Sequence, residues 1–212
     1  RQPADAAVLA AGLLGSLEAP FDLDGQEVHA AASLGIALFP EDGADPDELL
    51  KNADLALYRA KAEDRGRFRF FEPAMEAAVR ARRELEAELR HGLERGEFTL
   101  VYQPQLDLRT GRITGVEALA RWSHPERGLV APGEFVPVAE ASGLIVPLGA
   151  WVLREACRQA AAWREAGLPL AVAVNLSPAQ LRHPDLLDVV DGALGAGGLE
   201  PGALELEVTE GL

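Results

Sequence analysis

Ile113-Thr114-Gly115-Val116-Glu117-Ala118-Leu119-Ala120-Arg121-Trp122 reads as a strand carrying one carboxylate, Glu117, among apolar neighbours. Two later stretches repeat the pattern. Leu170-Ala171-Val172-Ala173-Val174-Asn175-Leu176-Ser177 places Asn175 at the end of an apolar run, and Ala203-Leu204-Glu205-Leu206-Glu207-Val208-Thr209-Glu210 places Glu207 similarly. A helical segment separates the second strand from the third. Strands joined through helices run parallel, so their C-terminal ends share one face, where α/β folds place their sites. Two carboxylates and an amide converging there suit a hard divalent cation such as Mg²⁺ or Mn²⁺. The competing reading is three unrelated polar residues at strand ends.

Outward from these strands, the chain reads as alternating elements. Residues 4–19 are Ala/Leu-rich and helical. Asp24-Gly25 marks a hairpin turn, and Glu27 to Phe39 is expected to return as a strand. Asp45-Pro46-Asp47-Glu48 has the form of a helix start, with Asp45 as N-cap and Glu48 completing a capping box. Residues 73–96 form a long polar helix with Leu85, Leu89 and Leu93 at every fourth position, read as an amphipathic linker rather than a core element. Phe98 to Leu106 is a strand turned at Arg109-Thr110-Gly111 into the one bearing Glu117. Helices are expected from Pro132 to Gly143, from Gly149 to Gly167, and from Ser177-Pro178 to the Gly195-Ala196-Gly197-Gly198 breaker.

Composition narrows the function classes. With 212 residues, 48% hydrophobic and 25% charged, the chain has the profile of a globular protein of one or two domains. No apolar run reaches membrane-spanning length and no secretory signal opens the chain. A net charge of −14 argues against general nucleic-acid binding, which depends on Lys and Arg neutralising phosphates. A phosphate-bearing ligand would need local cations or metal. The single cysteine, Cys157, excludes an internal disulfide and fits a cytoplasmic protein. His29, His91, His124 and His183 lack metal-ligand spacing and read as surface or loop residues. Trp122 reads as a packing residue. Arg1-Gln2-Pro3-Ala4-Asp5 contains no initiator Met, so the chain is expected to be a piece of something longer.

The motif series resembles a known family. Glu117-Ala118-Leu119 followed by Arg121-Trp122, with Tyr102-Gln103-Pro104 before it, resembles an EAL domain, the cyclic di-GMP phosphodiesterase family. Pro132-Gly133-Glu134-Phe135-Val136-Pro137-Val138-Ala139-Glu140, Gly143-Leu144-Ile145, Val174-Asn175-Leu176-Ser177 and Glu207-Val208-Thr209-Glu210 extend the series over about 115 residues. Ser33-Leu34-Gly35-Ile36-Ala37, Pro40-Glu41-Asp42-Gly43 and Asn52-Ala53-Asp54-Leu55-Ala56-Leu57-Tyr58-Arg59-Ala60-Lys61 resemble the C-terminal part of a GGDEF domain, the diguanylate cyclase fold. The resemblance implies an α/β chain: the C-terminal part of a nucleotidyl-cyclase-like α+β GGDEF domain over 1–72, a linker helix and EAL entry over 73–96, and the N-terminal half of an EAL TIM-like (β/α)8 barrel over 97–212.

It also implies roles. Glu117, Asn175 and Glu207 match metal ligands, Arg121 a residue near the substrate phosphate, and Gln103 a guanine-side contact. Glu210 matches a residue behind the ligands that positions a loop near the metals. In the GGDEF part, Lys61 and Arg65 match positions near a nucleotide triphosphate, but a solvated basic edge is the favoured reading for this fragment, because the family's metal-binding acids would precede residue 1. The implied parent hydrolyses cyclic di-GMP with Mg²⁺ or Mn²⁺, its GGDEF domain being regulatory or a GTP-using cyclase. The alternative is a silent cyclic di-GMP-binding module. The leucine stripe of the linker helix is expected to dock against a neighbouring domain or a second copy of itself, and the parent is expected to be a homodimer. The later acidic motif and lysine of the family would lie beyond Leu212, so the chain by itself is expected to be inactive.

Overall fold

The computed structural model describes residues 2–63 and 66–208. The chain divides into two compact units, residues 1–83 and 84–212. The boundary falls inside a helix that the sequence places as the linker.

In the first unit, α1 (Gln2–Gly15) precedes a hairpin of β1 (Phe21–Leu23) and β2 (Gln26–Val28). Asp24 and Gly25 both adopt positive φ, 53° and 85°, the pairing a two-residue hairpin turn requires. The Asp22 carboxylate accepts the Gly25 N–H at 2.7 Å. The expected strand from Glu27 to Phe39 is corrected: β2 ends at Val28, and β3 (Leu34–Ile36) belongs to another sheet, parallel to β4 (Phe68–Phe70). Ala30, Ala31 and Ala32, weak strand formers, occupy the gap between them.

Between β3 and β4 runs α2 (Pro46–Glu63). Asp45 caps it by accepting the Glu48 N–H at 2.9 Å, while Glu48 accepts the Ala44 N–H at 2.8 Å, one residue earlier than in the usual box. The helix lies against β3 so closely that a Cβ on Gly35 would sit 2.0 Å from the Ala53 carbonyl oxygen. Ala56 and Ala60, both buried, are the small side chains this approach demands. The start of α3 (Pro73–Arg95) is tied to α2 by Lys51, whose ammonium donates to Glu76 at 2.8 Å and holds that carboxyl below its usual range.

The second unit is built on one sheet. β5 (Phe98–Leu106) is antiparallel to β6 (Ile113–His124), and β7 (Gly128–Val130) folds back on the far end of β6. β8 (Ala171–Leu176) and β9 (Leu204–Val208) continue the sheet parallel to β6, as expected of strands separated by helices. One face is covered by α4 (Pro132–Ser142) and α5 (Ile145–Glu165). Val116, Ala118, Trp122, Val172, Val174 and Leu176 are buried on that side with Phe135, Leu153 and Cys157.

Three helical expectations change. α5 starts at Ile145 rather than Gly149, because Gly149 is an interior packing position. The helix expected from Ser177 onward is two, α6 (Pro178–Leu181) and α7 (Leu186–Gly197), separated at Pro184, which has no N–H to continue the ladder. The third correction concerns α3. Leu85 and Leu89 are buried, at 5% and 0% exposure, in the second unit's own core. Their seam is core rather than free linker surface. Arg and Glu on the remaining faces obscured it.

His124 is corrected too. It is buried, and its Nδ1 accepts the N–H groups of Glu126 and Arg127 at 3.1 Å each, forming the turn into β7. Arg127 in turn makes a two-point contact with Glu88 on α3, at 2.8 and 3.3 Å. Trp122 packs as expected, stacked on Phe98 at 5.5 Å between ring centres, with its indole N–H donated to Glu97 at 3.0 Å.

Candidate functional site

Strand register gathers the predicted residues. Cross-strand partners share a sheet face and alternate residues return to it. Gln103 pairs with Glu117, Glu117 with Ala173, and Asn175 with Glu207. Two steps along β8 carry Ala173 to Asn175, and four along β6 carry Glu117 to Arg121. Gln103, Glu117, Arg121, Asn175 and Glu207 therefore all stand on the face opposite α4 and α5. Glu117 does not end its strand, because β6 runs on to His124 to pair with β5 and β7.

The Asn175 amide donates to a Glu117 carboxylate oxygen at 2.6 Å across 58 residues of sequence. Glu207 accepts from Gln105 Nε2 at 3.4 Å. Gln105 was not among the expected site residues; its partner lies 102 residues away, and no local signal connects them. Glu117 and Glu207 are half-buried and Asn175 is exposed. Among the described residues no group of three His, Cys, Asp or Glu side chains could hold an ion. The set here is two carboxylates and an amide. Its all-oxygen, doubly negative character fits a hard divalent ion and does not fit a thiophilic one.

Arg121 donates Nη1 to the Ala120 carbonyl at 2.9 Å. With Asn175, Ser177 and Glu140 it borders a cavity of about 270 Å³, walled by Phe135, Ile145 and Val152. A guanidinium on the same sheet face as the two carboxylates and the amide can pair with the oxygens of an anionic ligand. Gln103 is exposed on the edge strand. Lys61 is exposed in the last turn of α2. Arg65 and Glu210 lie outside the described residues.

Tyr102, beside Gln103, points to the helical side. Its ring meets Trp163 edge-on at 4.7 Å. Burial, reinforced by the nearby Glu155 carboxylate, pushes its phenol up to about 12. Because the folded value lies above the unfolded one, this contribution to stability is complete below about pH 10, the ordinary tyrosine value, and fades as pH rises towards 12. Spectrophotometric titration of residues 1–212 carrying Tyr58→Phe, in which Tyr102 is the remaining tyrosine, is expected to show tyrosinate forming near pH 12. A midpoint near 10 would mean that the ring is solvated.

Residues 86–212 match the family model described as EAL domain, and residues 1–67 match that of the diguanylate cyclase, GGDEF domain. The chain belongs to the EAL domain family, joined to GGDEF sequence. An uncharacterized signaling protein of Caulobacter vibrioides is 50% identical over 99% of the chain, which covers 26% of that protein. The bifunctional diguanylate cyclase/cyclic di-GMP phosphodiesterase MucR of Pseudomonas aeruginosa is 47% identical over 99% of the chain and 31% of that protein. The chain thus spans about a quarter to a third of these relatives' length. Among solved structures, the MucR phosphodiesterase in complex with cyclic di-GMP aligns with TM-score 0.58 at 50% identity, over 60% of this chain and 52% of that one. The EAL domain of FimX from Pseudomonas aeruginosa bound to cyclic di-GMP aligns with TM-score 0.53 at 30% identity, over 59% and 50%. No helix among the described residues is long and apolar enough to cross a membrane.

Proposed function

We propose that this chain is part of a cytoplasmic cyclic di-GMP signalling protein whose EAL unit hydrolyses the cyclic dinucleotide to the linear one. The observation that carries the reading is that Glu117, Asn175 and Glu207 share one sheet face, Asn175 in register with Glu207 and its amide donating to Glu117 at 2.6 Å. These three would hold Mg²⁺ or Mn²⁺, which offsets the phosphodiester's charge and lowers the pKa of a bound water. Arg121 offers a guanidinium fork to phosphate oxygens. Gln103 offers donor and acceptor to a guanine edge. Glu210, three residues after Glu207 in the sequence, is read as positioning a loop near the metals. Hydrolysis adds water across one P–O bond: its oxygen joins phosphorus and the departing ribose oxygen takes a proton.

Lys61 and Arg65 are read as phosphate-side residues for a nucleotide such as GTP in the GGDEF unit. The name of MucR, which pairs both activities in one protein, supports a shared chain. A homodimer through the α3 leucines is not proposed, since Leu85 and Leu89 are already buried in the second unit.

The test is turnover by the whole protein before and after chelation. Cyclic di-GMP is expected to yield linear dinucleotide only with Mg²⁺ or Mn²⁺ present, the rate falling to background in EDTA and returning on metal addition. Tight binding without product in saturating metal would instead identify a receptor.

A further inference from the structure

The turn after β8 is held more firmly than a surface loop needs to be. Ser177 N–H donates to Gln180 Oε1 at 3.1 Å, and Gln180 N–H donates to Ser177 Oγ at 3.3 Å. This reciprocal box is buried, with Ser177 at 9% and Gln180 at 4% exposure. Helix α6, which it opens, is only four residues long, so the box contributes little as a helix cap. Its second anchor is α5. A Cβ on Gly149 would fall 1.8 Å from Gln180 Nε2 and 2.6 Å from its Cδ. The Gln180 amide therefore rests directly against Gly149 of the long helix, where a larger side chain would have to displace it. Ser177 stands two residues after Asn175.

We propose that Gln180, seated on Gly149 and bonded to Ser177, is a positioning residue that sets the height of Asn175 at the end of β8 and so tunes the cation affinity of the site. The inference rests on the metal reading of Glu117, Asn175 and Glu207. Asn175 is exposed, and the hydrogen bond recorded for its side chain goes to Glu117, another member of the same set. Its alignment must then come from backbone, and the backbone on its C-terminal side is held by the box. The cavity of about 270 Å³ is lined by Gly149, Asn175, Ser177 and Gln180 together. It offers the space into which the turn relaxes once the Gln180 side chain is shortened. The signal was readable as Ser177-Pro178-Ala179-Gln180, a capping-box spacing. Its coupling to Gly149 was not, because it joins elements far apart in sequence.

The experiment measures Mn²⁺ binding to the whole protein by electron paramagnetic resonance, without substrate and well below the melting temperature. Gln180→Ala is expected to weaken Mn²⁺ binding by about 10- to 100-fold, the range for groups that orient a metal ligand. Gln180→Glu keeps the acceptor for Ser177 N–H and is expected to bind Mn²⁺ at least as tightly as wild type. Ser177→Ala, which removes the other half of the box, provides a second variant should Gln180→Ala fold poorly, with the same direction expected. A merely structural box would lower the melting temperature and leave Mn²⁺ affinity unchanged. Asn175→Ala separates the two levels of argument. If it loses Mn²⁺ affinity while Gln180→Ala and Ser177→Ala keep it, the positioning role is wrong and the metal reading stands. If Asn175→Ala also binds like wild type, both are wrong.

Discussion

Glu117→Ala in the whole protein is expected to lower cyclic di-GMP turnover about 1,000-fold or more, since charge stabilisation by a bound ion is worth several kcal/mol and each 1.36 kcal/mol is tenfold in rate. Folding should survive. Glu117 is half-buried on the sheet face opposite α4 and α5, and its carboxylate accepts from the Asn175 amide. Truncating it opens no core cavity and leaves an exposed amide that water can satisfy. Glu117→Gln keeps the size of the side chain and a hydrogen-bond partner for Asn175 but removes the charge. It should be nearly as inactive, which would assign the loss to charge rather than shape. Glu205 provides the control. It is exposed on β9, on the same face and two residues before Glu207, and pairs in register with Ala173. Glu205→Ala should stay close to wild type. Turnover in Glu117→Ala within about tenfold of wild type, less than the loss of one well-placed electrostatic donor, would remove Glu117 from the site.

The parts of the fold legible in the sequence were those set by local chemistry. Asp24-Gly25 demanded a two-residue turn, Asp45-Pro46 demanded a helix start, and both occur. The presence of oxygen-bearing groups on neighbouring parallel strands was legible. Their common face was not, because a strand has period two and the side each residue takes depends on a register set between distant segments. What escaped was decided by partners distant in the chain. A glycine at 149 looked like a helix boundary, and only the Gln180 side chain explains it as interior packing. Glu27 to Phe39 looked continuous, yet its two ends pair with different strands. Pro184 is the exception: its break between α6 and α7 follows from local backbone chemistry and could have been read. Gln105 went unnoticed and His124 read as a surface or loop residue because their hydrogen bonds, not their residue types, mark them.

Leu89→Ala carries the largest expected stability effect. Leu89 is fully buried, and with Leu85 it joins Phe98, Trp122 and Phe135 in the core of the second unit. Removing most of a buried leucine costs about 2–5 kcal/mol, the lost transfer energy plus that of the cavity left behind. The site of the loss has little room to collapse. One turn on, Gly92 lies so near the indole that a Cβ there would come 2.8 Å from Trp122 Nε1. On the exposed side of the same helix, Arg90 forms an i,i+4 pair with Glu86 at 3.2 Å. Arg90→Ala should cost no more than about 0.5 kcal/mol, as exposed pairs of this kind do. Urea denaturation followed by tryptophan fluorescence measures both variants, because Trp122 sits in the affected core. The comparison also decides what the leucine seam is for. A core seam predicts a lower denaturation midpoint in Leu89→Ala and an unchanged sedimenting mass for the folded protein. If Leu89→Ala unfolded like wild type but sedimented at half the mass, the seam would be an interface between copies, and its burial within one chain would be the wrong account.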